Sequence, residues 1–259
     1  MPRFSANLSM LFTEVPLLER FGRAAAAGFR AVEVQFPYEL PAQTIRSELE
    51  RHDLALVLHN LPAGDWAGGD RGIACDPARR EEFRAGVERA LDYARALGAK
   101  RLNCLAGRAA AGASEAEARA VLVDNLRHSA SRCAEAGVRL LLEPVNQRDV
   151  PGFLVHRTGQ AVAIIDEVGA DNLQLQYDIY HAQRSEGEIA ATLAAFLPRI
   201  GHIQFADNPG RHEPGTGELN LDFIFALLDR LGYEGWVGAE YKPARTTEAG
   251  LGWFNSRKN

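Results

Sequence analysis

The stretch VRLLLEPVNQRDVPGFLVHRTGQAVAIIDEVGADNLQLQYD, residues 138–178, decides the fold. It opens with an apolar run, Val138–Glu143, that stops at Pro144. An amphipathic segment follows over Gly159–Val168, preceded by Thr158, a residue type suited to a helix N-cap. Gly169 closes that segment, and a second short run, Leu173–Asp178, comes after it. A strand, a helix and another strand in this order read as a β-α-β unit with parallel strands.

Working outward, the same pattern repeats. Further strands are predicted at Arg3–Leu8, Ala31–Phe36, Leu54–Asn60, Arg101–Leu105, Ile200–Phe205 and Trp236–Glu240. Helical segments lie between them at Pro16–Ala27, Ala42–His52, Pro77–Leu97, Glu115–Ala136, Gly187–Phe196 and Leu221–Leu231, with a last one from Thr246. Gly28, Gly98, Gly137, Gly169 and Gly232 stand where helices should stop, and Ser114 stands where one should be capped. Eight alternating units of about 32 residues match the size of a (β/α)8 TIM barrel, read here as a single domain over residues 1–259. The competing solution, an open doubly wound sheet, normally carries GxGxxG after its first strand. Asn7-Leu8-Ser9-Met10 has nothing of the kind, and no Pro/Ser-rich linker divides the chain.

Composition narrows the function. The chain has 259 residues, 46% hydrophobic and 24% charged, with a net charge of −5, which excludes disorder and fibrous folds. An acidic balance argues against nucleic acid or an anionic membrane surface as partner. Cys75, Cys104 and Cys133 are sparse and form no CxxC or CxxH pattern, as expected of free thiols in a reducing compartment. No apolar run approaches the roughly 18–20 residues of a membrane span. The N-terminus shows no signal-peptide pattern. The expectation is a cytoplasmic protein with a small-molecule partner, compatible with a homo-oligomer.

The charges point to the chemistry. LLLEPV ends in Glu143, LQLQYD in Asp178 and WVGAEY in Glu240, while HIQF carries Gln204 near its end. Strand alternation turns these side chains to the inner face, at the carboxyl ends of four consecutive strands, where barrel enzymes hold their active sites. Taken singly, each is as well explained as a loop boundary. Together, three carboxylates repel unless a cation lies among them, and three carboxylates with one amide oxygen suit Mg²⁺ or Mn²⁺. Lys242, His181 in DxxH and Arg211 in GRHEPGTGE are candidate substrate contacts, each also readable as a rim or helix-start residue. Glu33, His59 and Asn60 are weaker candidates that fit simple hydrogen bonding within the barrel.

These residues carry a resemblance. FSANLSMLFTEVP, AVEVQFPY, QYDIYHAQ, HIQFADNPGRHEPGTGELN, GYEGWVGAEYKP and GLGWF resemble the hydroxypyruvate isomerase and 2-oxo-tetronate isomerase family of xylose isomerase-like barrels, over essentially the whole chain. The resemblance implies one divalent metal ion held by Glu143, Asp178, Gln204 and Glu240, with Glu143 and Glu240 also as proton donor/acceptors. It implies an isomerase of a small 2-oxo acid working through an enediolate. Related sugar epimerases usually carry His where Gln204 stands, which favours the isomerase branch. The alternatives are a ketose 3-epimerase-like enzyme and a non-catalytic metabolite-binding barrel. An endonuclease IV-type nuclease would need a His-rich three-metal cluster and a basic groove, which seven scattered histidines and the net charge of −5 do not supply.

Overall fold

A computed structural model describes residues 2–110 and 112–257. Its strands are β1 (Arg3–Asn7), β2 (Ala31–Glu33), β3 (Ala55–Asn60), β4 (Arg101–Cys104), β5 (Arg139–Leu142), β6 (Leu173–Asp178), β7 (Ile200–Phe205) and β8 (Trp236–Ala239). All pair in parallel and in chain order, and β8 closes on β1 through Arg3–Trp236 to Ala6–Ala239. The helices are α1 (Leu17–Ala27), α2 (Ala42–Arg51), α3 (Arg80–Leu97), α4 (Glu115–Glu135), α5 (Thr158–Val168), α6 (Ile179–Ser185), α7 (Ile189–Phe196), α8 (Leu221–Arg230) and α9 (Gly252–Asn255). The expected (β/α)8 barrel is therefore the observed one, and no described helix is long and apolar enough to cross a membrane.

Local differences have local causes. Gly28, Gly98 and Gly169 end α1, α3 and α5 in the left-handed conformation, as expected. Ser114 caps α4 in a full capping box with Glu117. Thr158 does not cap α5. It is the first helical residue, and its hydroxyl and backbone N–H both bond the Glu186 carboxylate. The β2 strand stops at Glu33 because the pairing with β3 shifts at Val32/Glu33. Helix α6 was not expected, because Asp178 at the end of β6 caps it directly by accepting the Tyr180 N–H at 2.8 Å. The tail from Thr246 is a short 3₁₀ turn followed by α9.

The main core lies between strands and helices. An aromatic group around Phe4 (Phe205, Phe225, Trp253, Phe254) docks the C-terminal segment, and Phe29 stacks on Phe254 with ring centroids 4.1 Å apart. A smaller apolar group, Ala31, Val57, Leu58 and Leu141, is separate from it. Strand alternation puts Ala31 and Leu141 on the faces that carry Glu33 and Glu143, so this group plugs the bore below the polar residues.

Above that plug the bore is polar. The Glu33 carboxylate accepts hydrogen bonds from Ser5 Oγ (2.6 Å), Gln204 Nε2 (2.8 Å) and His202 Nε2 (2.8 Å). A Cβ on Gly238 would come within 2.3 Å of Glu33 Oε1. Gly238→Ala is therefore expected to cost about 1–3 kcal/mol, as overpacking does, and to lower the urea midpoint. Gly159→Ala, where a Cβ meets nothing within 4 Å, is expected to leave that midpoint unchanged or raised.

Candidate active site

The side chains of the site come from strand ends. Asp178 is the last residue of β6 and Gln204 the penultimate residue of β7. Glu143 and Glu240 each stand one residue past their strands. All four are buried. Glu143 Oε2 accepts from Asn103 Nδ2 at 2.7 Å. Glu240 Oε2 accepts from Asn7 Nδ2 (2.9 Å) and Gln204 Nε2, and its Oε1 from Gln35 Nε2 (3.1 Å) and Arg211 Nη2 (2.8 Å). Asp178 Oδ1 caps α6, so Oδ2 is left facing Arg211 Nη2 at 3.4 Å and His181 Nε2 at 3.6 Å.

Arg211 reaches this position because its loop is fixed. The Asp207 carboxylate accepts backbone N–H groups from Asn208, Gly215, Thr216, Gly217 and Leu219, at 2.9–3.1 Å. The loop is thus gathered around Asp207, two residues past the end of β7. Arg211 itself has φ +56°, and its carbonyl accepts the Lys242 N–H at 2.8 Å.

Three carboxylates now face one guanidinium. Two like charges 4 Å apart repel by roughly 4 kcal/mol at an effective dielectric of 20, so the balance is poor. Burial, then the charge of Asp178, pushes Glu143 up to about 8. Burial likewise raises Asp178 and Glu240 against the pull of Arg211. Burial opposes the charge on Arg211, but Glu240, Asp178 and Glu143 outweigh it and hold the guanidinium charged.

His181 is neutral, because burial and then Arg211 and Arg184 push its imidazole well below the ordinary range. Its tautomer follows from Asn146. The Asn146 Oδ1 takes the Asp149 N–H (2.9 Å), so its Nδ2 faces His181 Nδ1 at 2.6 Å and donates to it. The proton of the imidazole is then on Nε2, turned toward Asp178.

The donor set fits a divalent cation. Glu143, Asp178 and His181 each offer an atom within 4.8 Å of the others. Asn103 Oδ1 and Gln176 Oε1, both buried, have no hydrogen-bond donor. Oxygen-rich and short of positive charge, such a site suits Mg²⁺ or Mn²⁺. His181 is the least apt of the three, since a metal-binding Nε2 must be free of its proton. The carbonyl oxygen of Gln204 accepts one bond, from Gln176 Nε2 at 2.7 Å, and keeps a second lone pair.

Above the carboxylates is a cavity of about 240 Å³, bordered by Glu143, Glu240, His181, Arg211 and Lys242. It is smaller than the roughly 300–1,000 Å³ of pockets for drug-sized ligands, as suits a molecule of a few carbons. The sequence-predicted residues thus converge here, with Asp178 and Gln204 just beneath the lining. Asn7, Gln35 and Asn103, which hold the carboxylates, were not singled out from sequence. Their signal was the same one, a polar residue at or near a strand end. Asn60 borders the cavity, but His59 points the other way, its Nε2 3.2 Å from Ala90 O on α3.

Comparison with known proteins bears on the same residues. Residues 21–257 match the family described as xylose isomerase-like TIM barrel. Hydroxypyruvate isomerase of Escherichia coli is 54% identical over 98% of this chain and 99% of its own length. The chain belongs to the hydroxypyruvate isomerase and 2-oxo-tetronate isomerase family. A 2-oxo-tetronate isomerase of Cupriavidus necator is 48% identical over 98% of each protein. Family membership makes the chain an isomerase. A crystal structure from Brucella melitensis described as an AP endonuclease, family 2, superposes with a TM-score of 0.97 at 42% identity over 100% of both chains. Among the described residues of this chain, the one cluster of at least three potential metal donors contains a single histidine, His181.

Below about pH 8 the metal-free site holds a proton on Glu143, and a cation bound there must displace it. Binding of Mn²⁺ at pH 7 is expected to release protons, that of Glu143 among them, and the Glu143 share of the release fades as the pH rises past 8. Calorimetry in buffers of different ionisation enthalpy measures it. Binding at pH 7 with no proton release would place Glu143 outside the ligand set.

Proposed function

We propose that this chain is a divalent-metal-dependent isomerase of a small 2-oxo acid. It converts hydroxypyruvate to tartronate semialdehyde, or a 2-oxo-tetronate to a 3-oxo-tetronate, by proton transfer through an enediolate. The observation that carries this reading is the crowding of Glu143, Asp178 and Glu240 beneath one small cavity, with a single guanidinium among them. Relatives named hydroxypyruvate isomerase and 2-oxo-tetronate isomerase support the substrate class.

Glu143, Asp178, Gln204 and Glu240 would hold the ion, Mg²⁺ or Mn²⁺. When bound, it supplies Lewis acidity that stabilises negative charge developing on the substrate's oxygens. The protein's own groups perform the proton transfer. For hydroxypyruvate a proton leaves C3 and one returns to C2. Glu143 and Glu240, both bordering the cavity, are the carriers. Asn103 orients Glu143, while Asn7, Gln35 and Arg211 hold Glu240 in one rotamer. His181, with its proton on Nε2, donates to a substrate oxygen. Lys242 at the rim draws the acid in, and Arg211, paired with Asp178 and Glu240, borders the space it enters.

Treatment with EDTA should abolish interconversion of the oxo acids, and Mg²⁺ or Mn²⁺ should restore it. Glu143→Gln and Glu240→Gln are each expected to lower kcat by about 10²–10⁴-fold with unchanged far-UV circular dichroism. In D₂O, product trapped at once by borohydride should carry deuterium at C2, which a direct hydride shift would not introduce. EDTA-resistant turnover, or full activity in both variants, would overturn the reading. Inversion of a sugar carbon with no migration of the carbonyl would make the enzyme an epimerase instead.

A further inference from the structure

Three cationic side chains border the cavity, and they are not equivalent. Arg211 is paired with Asp178 and Glu240. Lys242 stands exposed at the rim. Arg71, on the connection between β3 and α3, has no carboxylate partner among the described residues. Its Nη1 donates to two backbone carbonyls, Trp66 O (3.0 Å) and Asp70 O (2.6 Å), and its guanidinium carbon lies 4.3 Å from the Trp66 ring centroid. The nearest acid in sequence is already taken, since Asp70 Oδ2 pairs with Arg79 at 2.6 Å and accepts the Asp65 N–H at 2.7 Å. The indole ring and the carbonyls hold the guanidinium in place, yet none of them supplies a negative charge.

The position of Arg71 is built into the backbone. Gly72 follows it with φ +113°, and a Cβ there would come within 2.3 Å of Leu105 O. A Cβ on Gly107 would in turn come within 2.2 Å of Gly72 O. Arg108 Nη1 donates to Gly69 O at 3.0 Å. The connection is thereby pinned to the segment after β4, which lines the cavity through Leu105. Trp66, 42% exposed, packs on Phe36 with centroids 5.0 Å apart and forms part of the same wall.

We propose that Arg71, held over the Trp66 ring and assisted by Lys242, is the subsite that takes the carboxylate of the oxo acid and makes the enzyme select acids over neutral ketoses of equal length. The proposal rests on the isomerase reading and adds its specificity. The cavity floor is acidic and Arg71, with Lys242 at the rim, carries the unneutralised positive charge on its wall, so an anionic substrate lies one way round. Its carboxylate goes to Arg71 and its reacting carbons go to Glu143 and Glu240. A planar guanidinium with unused N–H groups is the donor suited to bidentate capture of that carboxylate.

The test compares hydroxypyruvate with dihydroxyacetone, in which a hydroxymethyl group replaces the carboxylate, on the Mg²⁺-loaded enzyme. Arg71→Gln should lower kcat/KM for hydroxypyruvate by about 10²–10³-fold, mostly through KM, and lower that for dihydroxyacetone far less. Arg71→Lys should restore part of the loss. A readout without turnover is the fluorescence of Trp66, titrated with D-glycerate, which has the carboxylate but no carbonyl. Glycerate should give a saturable change that glycerol does not, and both Arg71→Gln and Trp66→Phe should remove it. Equal losses on the two substrates, or an unchanged glycerate response in Arg71→Gln, would overturn the proposal. If the chain isomerised no oxo acid but still bound glycerate through Arg71, the isomerase reading would fail and the subsite would stand.

Discussion

One carboxylate in the middle of the barrel sets the terms for everything above it. Glu33 reaches across the bore from β2 to Ser5 of β1 and to His202 and Gln204 of β7, through space that Gly238 of β8 leaves open. Burial alone would neutralise it, but His202, with the hydrogen bonds of Ser5 and Gln204, holds it below the ordinary carboxylate range. An ionised group so placed is costly to leave unpaired, by about 3–5 kcal/mol when one partner of a buried pair is removed. The four strands are therefore held in a register that satisfies it. Gln204, with one amide hydrogen on Glu33 and the other on Glu240, carries that order to the carboxylates at the mouth.

The carboxylates at the mouth have the opposite character. Where Glu33 is fully matched, Glu143, Asp178 and Glu240 share one guanidinium and are pushed toward their neutral forms. Stability alone would not retain such a cluster, because apolar side chains of similar volume would pack at less cost. An under-neutralised group of acids over a matched one is an arrangement that an added cation would balance. The long hydrogen-bonded frame of Asn7, Gln35, Asn103 and Arg211 keeps the acids from relaxing outward.

What the sequence revealed follows from the reach of each signal. Glu143, Asp178, Gln204 and Glu240 were legible because each sits at the end of its own apolar run, and a barrel brings all such ends to one mouth. The barrel itself was legible from β-α-β alternation centred on residues 138–178. The state of His181 was not, since its tautomer depends on Asn146, 35 residues earlier and across the mouth. Helix α6 was hidden because strand and helix share Asp178 with no loop between them. Trp66 and Arg71 lie on a connection with no period to read, and long-range contacts such as Gly72 with Gly107 and Arg108 with Gly69 bring that connection to the cavity. Thr158 shows the converse error, a residue type suited to capping that is instead bonded to Glu186.

The Asp207 knot has a consequence for how this chain can vary. Surface connections generally accept insertions, because little depends on their length. Here five N–H groups spread over residues 208–219 converge on one carboxylate, and the same span delivers Arg211 to Asp178 and Glu240. Adding or deleting one residue would displace donors from Asp207 and carry Arg211 off its acids together. In this barrel, the connection between β7 and α8 should be as intolerant of length change as a strand.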